Sequence, residues 1–222
     1  MRQYIYIDIE TIPRPMDRSA LEAATAKKAP KNLKDPKKIE AWIEDNAEKV
    51  FRQRSLSELT AEVLCVSMAV GDDDPITIGR SAWRTEWSVL DFLYVELHAH
   101  GGGTSTFVGH NLRFDLAVLW AAALRNHMPK LAKMVRPPDK PWSESIYCTM
   151  SRWPSTSSGF AGNRSLASIA EAFNLGEKTP GIDGSKVYDY YLEGRHEEIE
   201  AYCAQDVVLC REVHQMMMAG GL

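Results

Sequence analysis

Nowhere does the sequence hold an apolar run near the roughly 18 to 20 residues that cross a bilayer, so no membrane-spanning helix is expected. Its start, MRQYIYID, lacks the basic stretch followed by a long apolar one that marks a secretory signal, and a cytoplasmic location is the expectation. Cysteine is scarce. The four present, Cys65, Cys148, Cys203 and Cys210, form no Cys-x-x-Cys pair and sit among apolar neighbours. That argues against a zinc knuckle or a disulfide framework and for buried free thiols. A large positive excess is also missing. The formal net charge is −4, which argues against a protein that coats phosphate backbones indiscriminately. There is no internal repeat, and GGGT matches no phosphate-loop spacing, so it reads as a helix stop.

What charge there is has an uneven distribution. Lys27 to Arg54 carries nine basic and five acidic residues, a local +4 that leaves −8 for the remainder. A basic insertion on an acidic body suits a nucleic-acid handle. A well-solvated amphipathic surface helix accounts for it equally well.

At 222 residues the chain suits a single domain, 1–222, with an insertion at about 14–60. YIYIDIE reads as a strand. Pro13 and Pro15 end it, and a lysine- and alanine-rich connector runs to Asp35. DPKKIEAWIEDNAEKVF is an amphipathic helix, with Asp35 as its cap, Pro36 at the first position and apolar residues at helical spacing. AEVLCVSMAVG and PITIG pair as strands across DDDP. A helix from Glu86 to Ala99 follows, then the strand STFVGHN and the helix FDLAVLWAAALRNH. The later chain is mostly helical, ending in a helix from about His196 to Met218. The six tryptophans show no regular spacing and suit core or interface packing. The expectation is an α/β fold, a mixed sheet flanked by helices, with a helical basic insertion after the first strand.

The first strand poses a chemical problem. Side chains alternate along a strand, so Asp8 and Glu10 face one way and Ile7 and Ile9 the other. Two carboxylates side by side on a half-buried surface repel and lose hydration unless something positive compensates them. Asn111 and Asp115 lie in GHNLRFDLAVL, where a strand gives way to a helix at the end of the sheet. Asp206 lies in EAYCAQDVVLC with Tyr202 one turn earlier on the same face. Taken singly, Asp115 suits a helix cap and Asp206 a solvated carboxylate. Taken together, four acids drawn from strand, junction and final helix are the ligand set that Mg²⁺ or Mn²⁺ requires, and a pair of such ions would supply the missing positive charge.

DIE, NLRFD and YCAQD, in that order, resemble the three exonuclease motifs of the DEDD superfamily, which has a ribonuclease-H-like fold. The Tyr-x-x-x-Asp spacing of the last resembles the tyrosine subclass, and Ala201 stands where the histidine subclass has its catalytic His. LASIAEAFNLGEKTPGIDGSKVYDYYLEGRHEEIEAYCAQDV further resembles predicted exonucleases related to the proofreading domain of B-family DNA polymerases. The likeness implies a ribonuclease-H-like mixed sheet and a 3′-5′ exonuclease that removes nucleoside monophosphates from single-stranded DNA or frayed 3′ ends with two divalent ions, Mg²⁺ or Mn²⁺. It implies that Asp8, Glu10 and Asp206 hold one ion, that Asp8 bridges to the second, that Asp115 acts mainly through water ligands, and that Tyr202 orients the attacking water. Asn111 would contact substrate or support Asp115. His110 would touch phosphate, and Phe114 and Phe160 would act as unstacking wedges, core packing being the alternative for Phe114. Relatives often carry an acidic residue where this chain has Cys148. Short RNA as substrate, or a nucleic-acid-binding or docking module with weak catalysis, remain the competing readings.

Overall fold

A computed structural model describes residues 3–81, 85–101, 104–140, 143–154, 164–176 and 182–221. Strands β1 (Tyr4–Pro13), β2 (Ala61–Val70), β3 (Ile76–Gly79), β4 (Thr106–Gly109) and β5 (Ile146–Cys148) form one sheet in the order β3-β2-β1-β4-β5. β1–β2 and β2–β3 are antiparallel, while β1–β4 and β4–β5 are parallel. That mixed arrangement, flanked by helices, is the expected ribonuclease-H-like one.

The alternation of β1 decides which helices cover which face. Ile5, Ile7 and Ile9 enter a core with Val66 and Met68 of β2. Its outer wall is Leu90, Leu93 and Leu97 of α3 (Glu86–Ala99), Leu112, Leu116 and Leu119 of α4 (Leu112–Arg125) and Leu131 of α5 (Pro129–Met134). On the other face, Tyr6, Ala69, Val108 and Tyr147 meet α7 (Leu166–Ala172) and the long α9 (His196–Ala219) through Ile169, Val207, Cys210 and Val213. Each fully buried aliphatic side chain contributes roughly 1.5–3 kcal/mol, which makes β1, apolar on both faces at its start, the central element.

Between β1 and β2 lie α1 (Arg18–Ala26), α2 (Pro36–Arg52) and a 3₁₀ turn, Gln53–Leu56. The connector expected before Asp35 therefore contains a helix. Its lysines suggest a loop, but RSALEAATA is rich in strong helix formers. Asp17 caps it by accepting the Ala20 N–H at 2.8 Å, and Arg18 pairs with Glu22 one turn on at 2.8 Å. β5, followed by the short α6 (Thr149–Arg152), also interrupts a region expected to be mostly helical. Three residues are too few for strand alternation to show in sequence.

A stop at GGGT is consistent with Gly101, which has a φ of +65° and comes just after His100, the C-cap of α3; Gly102 and Gly103 lie outside the described residues. No described helix is long and apolar enough to cross a membrane.

Candidate functional site

β4 pairs with β1 only as far as Tyr6 and Val108 and ends at Gly109. Past that point one side of β1 opens at the carboxyl ends of two parallel strands, the place where α/β sheets hold their chemistry. Asp8 and Glu10 project there, on the face covered by α9. A shift in the β1–β2 pairing between Glu10 and Thr11 sets Cys65 opposite Glu10 and leaves Leu64 as an extra residue. Bulges of this kind re-aim side chains next to active sites. Here it lets the consecutive Leu64 and Cys65 both join the cluster of Ile12, Tyr202 and Cys203 behind the acids.

α9 supplies the facing wall. Tyr202 and Asp206 lie one turn apart and are both buried, Tyr202 4% and Asp206 7% exposed. Carboxylate oxygens of Asp8, Glu10 and Asp206 all lie within 4.8 Å of one another. Asp115 stands outside that trio but against the same strand: it is 4% exposed, and its carboxylate accepts the backbone N–H of Ile9, the residue between the two β1 acids. What aims it there is the turn before α4. Asn111 adopts the left-handed conformation at φ 58°, which Asn tolerates, and its carbonyl accepts the Phe114 N–H at 2.9 Å. Gly109, at the end of β4, admits this turn because a Cβ there would lie 2.8 Å from Leu112 Cδ1 and 3.0 Å from the Ile7 carbonyl oxygen.

Crowded negative charge governs the protons. Burial, then the neighbouring Asp8, Cys65, Asp206 and Asp115, hold the Glu10 carboxyl well above the ordinary carboxylate range. Burial pushes Asp115 up to about 8, with nearby Cys148 adding to the rise and the backbone N–H groups of Asp115 and Ile9 opposing it. The Tyr202 phenol is also raised, first by burial and then by Asp206, Glu10 and Asp8, and it donates a hydrogen bond to Asp206. It keeps its proton and acts as a donor. Behind the trio, Cys203 Sγ lies 3.4 Å from the Asp8 carbonyl oxygen and 3.5 Å from Asp8 Oδ2. Burial, Cys65 and the two acids raise this thiol, so it donates to Asp8 as a thiol.

The donor set fits a hard divalent cation. Three oxygens converge from two elements, and the upward displacement of Glu10 is the mark of a negative site that a cation would relieve.

The remaining sequence candidates are placed differently. His110 was expected to touch phosphate, but both ring nitrogens face the protein: Nδ1 lies 2.9 Å from Thr149 Oγ1 and Nε2 2.8 Å from the Arg164 carbonyl oxygen. The ring ties the end of β4 to the start of α6 and to the segment leading into α7. Phe114 is half-buried and packs against the main core under α4, the alternative reading for that residue. Asn111 is exposed, with the backbone role just described. Phe160 lies outside the described residues. Sequence reasoning missed Cys65 as a neighbour of Glu10 and Cys203 as a neighbour of Asp8. Cys203 was within reach, three residues before Asp206 and so on the same helix face, whereas Cys65 depends on a pairing shift that local sequence does not encode.

No curated protein and no solved structure matches the chain. Residues 60–218 match a family described as predicted 3′-5′ exonucleases related to the exonuclease domain of PolB. The matched stretch carries Asp115, Tyr202 and Asp206; β1, with Asp8 and Glu10, precedes it and joins the site by pairing with β2 and β4. With most of its length inside the match, the chain belongs to the predicted 3′-5′ exonucleases related to the exonuclease domain of PolB.

Proposed function

We propose that the protein shortens single-stranded DNA, or a frayed 3′ end, one nucleoside monophosphate at a time, using two divalent ions, Mg²⁺ or Mn²⁺. The observation that carries this reading is the convergence of Asp8, Glu10 and Asp206 within 4.8 Å, with Asp115 held against the same strand. Asp8, Glu10 and Asp206 would hold one ion, Asp8 would be shared with the second, and Asp115 would act through water ligands. Bound there, the ions supply a Lewis acid that lowers the pKa of the attacking water and neutralises charge on the phosphate and the leaving oxygen.

The chain's own residues do the rest. Tyr202, protonated and tethered to Asp206, is set to hydrogen-bond the attacking water and fix its line of approach, a positioning effect that reaches orders of magnitude in rate. α9 and β1 hold the acids on regular elements, so little reorganisation accompanies reaction. A strand end suits the open side of β1 because the scissile phosphate must enter next to Asp8 and Glu10. The lysines around the α1–α2 connection, Lys27, Lys28, Lys31 and Lys34, are the proposed contacts to the phosphate backbone or to a replication or repair partner.

The test is a product analysis on 5′-end-labelled single- and double-stranded DNA, with a matched RNA oligonucleotide, in Mg²⁺ or Mn²⁺. The expected result is a ladder of 3′-shortened DNA that disappears with EDTA and in Asp8→Ala. Degradation of RNA in preference to DNA would transfer the assignment to an exoribonuclease. Full activity of Asp8→Ala would remove the proposed centre.

A further inference from the structure

The family match begins at residue 60, so α1 and α2 lie outside it. Their packing is incomplete. α1 fully buries Thr25 and α2 fully buries Val50, while Leu21, Ile43 and Ala47 are left half-buried. An amphipathic helix has to cover its apolar stripe with another element, and α1 packs chiefly against α2. A groove of about 510 Å³ is bordered by both helices. Its lining is one face of each: Arg18, Leu21 and Glu22 of α1, at helical spacings of three and four, and Glu40, Ile43, Glu44 and Ala47 of α2, at spacings of three, four and seven.

The chemistry of this lining selects among occupants. Half-buried Leu21, Ile43 and Ala47 form an aliphatic floor, and exposed Glu40 and Glu44 form a rim. Arg18 pairs with Glu22 at 2.8 Å and is attracted by Glu44 as well. One guanidinium therefore meets three carboxylates, and the groove keeps a net charge of −2 within a stretch, Lys27 to Arg54, whose own balance is +4. Negative charge gathers on this face, while Lys27, Lys28, Lys31 and Lys34 stand at the connection between the helices. Carboxylates repel a phosphate backbone or an anionic bilayer, and an aliphatic floor offers a metal ion no ligand. Both features are met by a helix whose apolar stripe is flanked by lysine or arginine, laid into the groove as a third helix. From Glu40 to Ala47, α2 runs about 10 Å, which gives room for two turns of such a helix. An apolar floor with a polar rim is the usual mark of an interaction site.

We propose that the α1–α2 groove is a docking site for a basic amphipathic helix of a partner protein, whose apolar stripe covers Leu21, Ile43 and Ala47 and whose lysines or arginines pair with Glu40 and Glu44. The insertion thus receives another protein on its acidic face and keeps its lysine-rich connection for other contacts. Such docking stands independently of the exonuclease reading.

The experiment follows, by fluorescence anisotropy in about 150 mM salt, a labelled peptide of about 18 residues, five helical turns, built from leucine, lysine and alanine with every leucine on one face. An isomer of the same composition, its leucines scattered around the helix, serves as the comparison. Wild type is expected to bind the first peptide saturably and the isomer at least about tenfold more weakly. Glu44→Lys and Ile43→Ser are each expected to raise Kd about tenfold, whereas Glu171→Lys, the same charge change on α7, leaves it within about twofold. Glu44 and Glu171 are both exposed, so these two substitutions disturb no core and decide the matter even where Ile43→Ser fails to fold. No binding by wild type, equal affinity for the two peptides, or equal weakening by Glu44→Lys and Glu171→Lys overturns the docking site. Sedimentation without peptide tests the other protein occupant: a monomer is expected, and a wild-type dimer that Glu44→Lys dissociates would give the groove to a second copy and overturn the proposal. Single-stranded DNA in place of the peptide is expected to bind wild type and Ile43→Ser alike, and its loss in that variant, folded, would overturn the proposal too.

Discussion

Asp8 and Glu10 show how far a single alternation carries an argument. Their shared parity along YIYIDIE places both carboxylates on one face, and the structure sets that face against α9. Tyr202, one turn from Asp206, is legible for the same reason. Cys203, three residues before Asp206, was within reach by the same helical spacing, whereas Cys65 was hidden because it depends on a bulge in the β1–β2 pairing. Tyr202→Phe removes the phenolic donor and leaves the acids in place. Turnover on single-stranded DNA is expected to fall roughly 10- to 100-fold with Mn²⁺ affinity unchanged, measured by steady-state kinetics beside calorimetry. Asp8→Ala removes a shared carboxylate and is expected to lower turnover on the order of a thousandfold. Because burial and the surrounding acids keep the phenol protonated, the pH–rate profile of Tyr202→Phe should match wild type in shape and differ only in height.

Elements with long apolar periods were legible, and short ones were not. β1, β2, α2, α3 and α9 follow from alternation, helical spacing and caps, whereas β5 has three residues and α1 is masked by its lysine-rich surroundings. Glu86 illustrates what pattern reading omits. It opens α3, yet its Oε1 accepts the Val63 N–H of β2 and an Arg125 N–H of α4, both at 2.9 Å, and its Oε2 accepts the Asn126 amide at 2.8 Å. One carboxylate thus joins a strand and two helices. Glu86→Ala leaves a buried N–H and a guanidinium without their acceptor and is expected to cost about 2–4 kcal/mol in a urea melt, while Glu86→Gln retains part of the network and costs less. At Gly109, a methyl group would press on Leu112 and on the Ile7 carbonyl. Gly109→Ala is therefore expected to destabilise the fold by about 1–3 kcal/mol and to displace the turn that carries Asp115.

The molecule as a whole carries two opposing proton linkages. His214 is buried among Tyr4, Tyr6 and Tyr147, with Nδ1 3.0 Å from the Tyr6 hydroxyl, and burial lowers it from 6.5 to about 4. Its contribution is present above pH 6.5 and is lost as pH falls towards 4. Asp115, raised from 3.8 to about 8, works the other way: its contribution is present below 3.8 and is lost as pH rises to 8. Each group changes stability by up to about 1.4 kcal/mol per pH unit within its window. Between about 4 and 6.5 the two slopes oppose each other, and from 6.5 to 8 only the loss from Asp115 remains, reinforced by Glu10. Urea melts without metal should therefore show falling stability from pH 6.5 to 8. Saturating Mn²⁺ or Asp115→Asn should flatten that fall, and a fall left unchanged by both would show that Asp115 is not its source. The central claim, that acids from distant parts of the chain meet closely enough to capture divalent ions, is tested most directly by titrating Mn²⁺ into wild type, Asp8→Asn and Asp206→Asn by isothermal calorimetry. Saturable binding by wild type that is lost or sharply weakened in both variants is the expected result; no binding by wild type, or binding of equal strength in all three, would contradict it.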